Sequence, residues 1–346
     1  MKYLNLKSLI IALAVMGLIV LPGRFLMAGR SSNVGTTAAS FLEVGVGSRA
    51  TGMGNAFVAV ADDISALYWN PAGLCQLKAN EMVFEHIQWL ADISFNFVGT
   101  GVSLGRFGTV GMFINSMTVP QDEVRTIVYQ DGSGEKFDAA SLAAGISYAI
   151  SLTDRFSIGF NAKYISERIW HESSKGFAID VGTLYDTGFK GLRIGACISN
   201  FGTNLKLSGS DLIIYYDSDP LILGNNDKIM GSLTTDEWPL PLNMQFGIAY
   251  DLINRKYSRV TIAADAIHPI DDTEYVNIGS ELGLFNMLFA RAGYQAIGMK
   301  DAEQGLTFGF GLKYKLFGQS NIMFDYSFGD YGRLLNVNRF TLRLNF

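Results

Sequence analysis

Charge is scarce in this chain: Asp, Glu, Lys and Arg make up 17% of its 346 residues, where a soluble domain averages about 25%. Scarce charge beside 49% hydrophobic residues excludes disorder, which needs low hydrophobicity and high net charge, and raises the question of a membrane. Long apolar runs are missing as well. After residue 21 nothing approaches the roughly 18 consecutive apolar residues that cross a bilayer as a helix. Proline (7), histidine (3) and cysteine (2) are few. Cys75 and Cys197 stand far apart, make neither a disulfide framework nor a metal site, and read as isolated thiols. Glycine, by contrast, is abundant at 38 residues, which suits strands joined by tight turns. Two architectures survive these absences: a large soluble core, or a transmembrane β-barrel whose lipid-facing residues alternate with polar lumen residues.

The first 28 residues favour the barrel. Lys2 and Lys7 precede an apolar run from Leu9 to Leu21, and Pro22, Gly23 and small residues around Ala28 follow. This is the pattern of a secretory signal peptide; a single anchor helix would need a longer run. Arg30 stands where a lipoprotein would carry its lipidated cysteine. The segment has three bases (Lys2, Lys7, Arg24) and no acid, so of 27 bases 24 remain against 32 acids, a net charge of −8. No basic patch suggests nucleic acid.

Periodicity carries the fold. From Gly305 to Leu316 the even positions are Leu306, Phe308, Phe310, Leu312, Tyr314 and Leu316, and the odd ones Gly, Thr or Lys. Such period-2 alternation marks a strand with one oily and one polar face, of a length that suits a tilted membrane crossing. The same pattern recurs at 155–164, 242–251, 321–328 and 339–346. Strands are expected near 81–90, 93–104, 108–118, 137–151, 155–170, 175–186, 191–201, 241–252, 258–267, 273–285, 287–296, 304–317, 319–329 and 335–346. That makes fourteen, an even number as in bacterial outer-membrane barrels. Connections after even-numbered strands are all short, and those after odd-numbered strands, 119–136 and 202–240 above all, mostly longer. Short periplasmic turns and long outer loops are the habit of such barrels; Ala91-Asp92 is the exception. The expected fold is therefore all-β, a 14-stranded antiparallel transmembrane barrel over 79–346 in the bacterial outer membrane, with signal peptide 1–28.

Residues 29–78 lack alternation and are rich in Ala and Gly. A short helix through Ala66-Leu67-Tyr68, capped by Asp62 or Asp63, should stop near Asn70, because Pro71 biases its neighbour away from helical geometry. Fourteen strands enclose more space than side chains fill, so this segment is expected inside the lumen as a hatch.

Three blocks in this region, Gly47-Ser48-Arg49-Ala50, Met53 to Asp63 and Ala66 to Leu74, closely resemble the opening of PorV/PorQ family proteins. Later echoes are Ile146-Ser147-Tyr148, Ile179-Asp180-Val181-Gly182, Ile198 to Gly202, Gly279-Ser280-Glu281, Arg291 to Tyr294 and Asp325-Tyr326-Ser327. The resemblance spans essentially the whole chain after the signal peptide. It implies a FadL-like fourteen-stranded barrel with an N-terminal hatch, and a role in type IX secretion. PorV-type members receive the C-terminal signal domain of secreted cargo and escort it to an attachment complex with a sortase-like peptidase; PorQ-type members sit in that complex. Fatty acid transporters of the wider group share an Asn-Pro-Ala element, matched here by Asn70-Pro71-Ala72. The resemblance thus leaves two roles: cargo shuttle or attachment subunit in protein export, or conduit for long-chain fatty acids or another hydrophobic ligand in the lumen. A porin-like scaffold is a third.

Candidate residues follow from register. Lys163, Asp180, Asp265, Glu281, Arg291, Asp325 and Arg343 fall on the lumen face, and Asp180, Asp265, Glu281, Arg291, Asp325 and Arg343 form one candidate ionic network. It would serve a ligand path, anchor the hatch through Arg49 or Asp62 and Asp63, or fill the lumen with register-fixing ion pairs. Asn70, Pro71, Ala72 and Gly73 form a hatch turn, either a hinge or a rigid bend. Terminal Phe346 ends an alternating strand and matches an outer-membrane assembly signal, or is simply its lipid-facing end. For an enzyme the residues offer little: Gly52-Met53-Gly54 lacks the third glycine and βαβ setting of a dinucleotide site, and His86, His171 and His268 stand in no catalytic or metal spacing. No cofactor is expected.

Overall fold

The computed structural model describes residues 34–217, 228–299, 302–316 and 320–346; the expected signal peptide, 1–28, lies outside them. Fourteen strands form one antiparallel sheet: β1 (Glu81–Gln88), β2 (Ser94–Ser103), β3 (Thr109–Glu123), β4 (Lys136–Ser151), β5 (Phe156–Ile169), β6 (Glu172–Asp186), β7 (Leu192–Gly202), β8 (Asn243–Arg255), β9 (Ser258–Pro269), β10 (Tyr275–Leu284), β11 (Leu288–Ile297), β12 (Leu306–Lys315), β13 (Asn321–Asp330) and β14 (Asn336–Asn345). The sheet closes where β1 pairs with β14, from Glu81 opposite Asn345 to Gln88 opposite Asn338. Closure removes the unpaired edges that hydrocarbon would not tolerate. Among the described residues no helix is long and apolar enough to cross a membrane.

Alternation decides which side chains go out. In β12, Phe308, Phe310, Leu312 and Tyr314 are exposed on the outer wall while Thr307 is buried within. Connections after even-numbered strands run to five residues or fewer and define the inner rim; the long connections 124–135 and 203–242 define the outer rim, by the sidedness of such barrels. One difference from the sequence reading lies at the third and sixth strands, expected at 108–118 and 175–186 and longer in the structure. They join two strands already expected to be long, β4 and β5, so that the long set is β3 to β6. These strands have 14–16 residues against 8–13 elsewhere, so at about 3.3 Å per residue they rise roughly 15 Å above a ten-residue strand. The turn between β5 and β6 shrinks to Trp170 and His171 because the strands themselves supply the projection.

Connection 203–242 also holds structure where only a loop was expected. Ile213–Tyr216 pairs with Ile229–Ser232, and Leu205–Lys206 with Glu237–Trp238. Its base is fastened to the barrel: Leu205 and Leu240 are buried with Phe41, Leu42, Ile165 and Ala178.

Residues 34–80 run through the lumen from the outer rim, where the Ala38 amide donates to Pro239 O, down to β1 at the inner rim. The path has short helices only, at Ser40–Glu43, Ser48–Gly52, Ala66–Trp69 and Pro71–Gln76. Asp62 does not cap the third; the Ser65 amide and hydroxyl donate to Asp63 Oδ1 instead. That helix ends at Trp69, with Asn70 extended before Pro71. Two unlike walls enclose the segment. On β1 to β3, Val83, Ile87, Phe95, Phe97 and Phe113 pack with Ile64, Leu67 and Leu74 in one apolar cluster, each such side chain worth about 1.5–3 kcal/mol on burial. On β9 to β14 the wall is ionic.

Glycine explains how an irregular chain fits so closely. A Cβ at Gly195 would lie 2.5 Å from Val58 O, and Cβ atoms at Gly159 and Gly279 would overlap the backbone of Pro71 and Met53. These glycines face inward on β7, β5 and β10, and their missing side chains leave the space that the segment's backbone occupies. Much of the chain's glycine excess is therefore a groove in the wall.

Candidate functional site

The helix Ser48–Gly52 points Arg49 at the ionic wall, and a closed ring results. Arg49 donates through Nε and Nη2 to both oxygens of Glu281, at 2.8 and 2.9 Å. Glu281 accepts from Arg291 Nε at 2.8 Å. Arg291 Nη1 reaches Asp325 at 2.6 Å, and Asp325 accepts from Arg343 Nη2 at 2.8 Å. Arg343 Nη1 donates to Asp63 at 2.5 Å, and Asp63 accepts from Arg49 Nη1 at 2.8 Å. Three arginines and three carboxylates thus alternate around a cycle. Arg49 and Asp63 come from the lumen segment; Glu281, Arg291, Asp325 and Arg343 come from β10, β11, β13 and β14. Asp62 and Arg259 attach to it: Asp62 pairs with Arg49, and Arg259 donates to Glu281 at 2.9 Å.

With Asp62 and Arg259 counted, four cations meet four anions, which is what burial of so much charge requires. Burial pushes the Asp63 carboxyl up, but Arg343 and Arg49 beside it, with the Ser65 hydrogen bond, hold it well below the usual carboxylate range. Burial acts on Asp62 likewise, and Arg49 and Arg259 hold it down. Such pairs add little net stability compared with apolar packing, yet breaking one by removing a single partner is strongly destabilising. The ring therefore fixes register between segment and wall.

Of the six residues expected to form one network, four do. Asp180 and Asp265 do not join it. Asp180, across the barrel on β6, pairs with Lys163 at 2.7 Å and accepts from the Asn200 amide and Asn161 Nδ2. Among the described residues no cation meets Asp265 on β9; its Oδ2 accepts from the amides of Phe57 and Val58, at 2.7 and 2.9 Å. Glu85 takes the Gly47 amide, and Glu81 the Ile64 amide, in the same way. A segment without regular structure must place its backbone amides somewhere, and wall carboxylates accept them. Arg259 was missed, although it lies in register with Asp265 on β9.

The turn Asn70-Pro71-Ala72-Gly73 is tied from several directions. Asn70 Nδ2 donates to Val58 O and to Thr183 O of β6, and Asn70 Oδ1 accepts from the Ala72 amide. Pro71 opens the helix Pro71–Gln76, and a Cβ on Gly73 would overlap Ala61. Phe346 lies at the inner rim with an exposed ring, its amide donating to Asn80 O. Cys75 and Cys197 are both free thiols. His86, His171 and His268 are exposed, bonded to Asn96, Asp211 and Glu274 respectively. Among the described residues no group of three His, Cys, Asp or Glu side chains is placed to hold a metal.

A family model described as type IX secretion system protein PorV matches residues 27–212, covering the lumen segment and the first seven strands. Among solved structures, the chain is similar to the Pseudomonas putida toluene transporter TodX (13% identity, TM-score 0.55, over 87% of this chain and 96% of that one). The Ralstonia pickettii toluene transporter TbuX aligns at 13% identity and TM-score 0.54, over 87% and 97%. The CymD monoaromatic hydrocarbon channel aligns at 13% and 0.53, over 87% and 96%. At these identities the likeness establishes the fold alone. Among curated proteins no relative matches.

Proposed function

The chain belongs to the PorV family of type IX secretion system proteins, and from that premise we propose that it acts in protein export or surface attachment, handling secreted cargo through its outer loops and performing no catalysis itself. It is a FadL-like β-barrel of the bacterial outer membrane. The observation that carries the cargo reading is the ribbon of connection 203–242. Beyond the outer rim it exposes Ile213, Ile214, Tyr215, Tyr216, Ile229 and Met230. An exposed apolar group of this kind marks an interaction surface, and a two-stranded ribbon with open edges suits addition of a partner strand. Beneath it the inner part of the lumen is filled by the ring, the glycine contacts and the apolar cluster. That filling supports a barrel that works at its mouth over one that conducts a fatty acid or hydrocarbon through its bore.

The test replaces 213–232 by a short Gly-Ser linker, which spares the buried base at Leu205 and Leu240. Folding is checked by heat-modifiable gel mobility. Cargo on the cell surface should fall at least tenfold while uptake of fatty acids and small hydrocarbons stays unchanged. Normal cargo display with lost uptake would transfer the assignment to the conduit reading. Association with a sortase-like attachment complex is expected to depend on the same ribbon, and co-purification from the two strains reads it.

A further inference from the structure

Two cavities lie one behind the other on the outer side of the lumen, and Glu43, Asn55 and Tyr275 line both. The inner one is narrow, about 60 Å³ in volume, and walled further by Tyr68, Asn115, Lys163, Asp180 and Asn243. The outer one, about 340 Å³, opens between Phe41, Trp89, Met299 and Tyr331, with Asp272 at its wall.

The polar atoms of the inner cavity do not balance among themselves. The side-chain oxygens of Asn55, Asn115 and Asn243 are buried without a hydrogen-bond partner, and Asn115 is only 1% exposed. Lys163, which lines the same space, is already committed to Asp180 and Asn200. Glu43 has no cation paired with it among the described residues, and Asp271 and Asp272 stand near enough to oppose its ionisation. Asp271 itself is buried with one oxygen unpaired. What is lacking here is a positive charge that carries several N–H donors.

We propose that the two cavities form one ligand site, entered from the outer rim, for a primary alkylammonium group. The head sits in the inner cavity against Glu43, and its three N–H donors meet the oxygens of Asn55, Asn115 and Asn243. An ammonium offers three donors and no acceptor, which matches three unmet acceptors. About 60 Å³ holds on the order of four water-sized groups, enough for the head and its first carbons. The rest of the ligand lies in the outer cavity, where Trp89, Tyr331 and Phe41 supply apolar and aromatic faces that tolerate a nearby cation. A carboxylate head is excluded by Glu43, Asp271 and Asp272. The site is independent of cargo handling by the ribbon. A free amine and a lysine side chain offer the same chemistry, so both sources are tested.

Withdrawal from bulk water inside the lumen and the two aspartates push the Glu43 carboxyl up to about 7, although the residue keeps an exposed side toward the outer cavity. Groups facing it are Asp271 and Asp272 from the β9–β10 connection, Tyr275 of β10 and Tyr68 of the segment, with Lys163 and Asp180 paired across the inner cavity. Arg339 lies beneath the Trp89 ring, held by Gly45 O and Tyr331 Oη. Affinity should therefore rise as pH increases through about 7, when Glu43 takes its negative charge.

The experiment uses the full barrel in maltoside detergent and isothermal titration with n-hexylammonium, hexyltrimethylammonium, hexanoate and an acetyl-lysine-amide peptide. Saturable binding of hexylammonium, without binding of hexanoate or of the trimethyl analogue, is the expected result. Binding of the peptide as well would identify a lysine side chain as a source; binding of hexylammonium alone would identify a free amine. Glu43→Gln, at a position already open to the outer cavity, should weaken hexylammonium at least tenfold and remove the pH dependence. Equal binding of hexylammonium and its trimethyl analogue, an unaffected Glu43→Gln variant, or no saturable binding would overturn the proposal and leave the cavities to water.

Discussion

The guanidinium of Arg49 meets both carboxylate oxygens of Glu281, at 2.8 and 2.9 Å, across 232 residues of chain. That fork joins the lumen segment to β10 and places Arg49 where Asp62 and Asp63 also reach it. Arg49→Met should leave Glu281, Asp62 and Asp63 short of a cation inside the barrel, at a cost of about 3–5 kcal/mol. Urea unfolding reads the loss. Adding Glu281→Gln should recover part of it, because contacting residues are not additive; strictly additive effects would deny the coupling.

Gly159 lies against Pro71 so closely that no side chain fits between them. Gly159→Val should let the barrel close while holding the segment off its wall. The variant should keep heat-modifiable mobility, yet become cleavable within residues 34–80 by protease added from outside and pass small solutes faster. A variant as protease-resistant as the parent would show that the backbone contact is not needed for seating.

Acid should not release the segment under mild conditions. The Asp63 carboxyl is held below its usual range, so its stabilising contribution is complete above the ordinary carboxylate pKa. It is lost only as pH falls through the lowered value. Protease accessibility should not increase between pH 8 and 5 and should rise only in stronger acid, below about pH 3.9, where an unperturbed Asp is half protonated. A rise near pH 6 would point to another group as the latch.

Thiol chemistry offers a simple check. Cys197 is buried on β7 and Cys75 partly accessible beside the inner rim. Maleimide should label Cys75 slowly in the native barrel and both residues after denaturation, without reductant. Failure of both cysteines to label after denaturation until a reductant is added would reveal a disulfide and contradict the arrangement.

The fourteen strands were legible because lipid outside and polar lumen inside impose a period of two. Phe308, Phe310 and Leu312 announce their face without reference to anything distant. Register also told that Glu281, Arg291, Asp325 and Arg343 face inward. It could not tell which inward residues meet, because that depends on position around the circumference and on what fills the bore. Asp180 and Asp265 share the register of the network but look at Lys163 and at the amides of Phe57 and Val58. The path of residues 34–80 left no periodic trace, since wall glycines and carboxylates satisfy it instead of its own hydrogen bonds. Arg259 was readable by the rule that found Asp265.

The contacts of Gly47 and Ser48 have a mechanical side. The Gly47 amide is held by Glu85 of β1, and the Ser48 amide by Thr341 of β14. Those strands meet at the joint between the two ends of the sheet. Two successive residues of the segment thus stitch that joint from within, like a clasp behind a hem. Tension on the segment is tension on the seam, so whatever unseats residues 47–48 also loosens the step by which the cylinder becomes a cylinder.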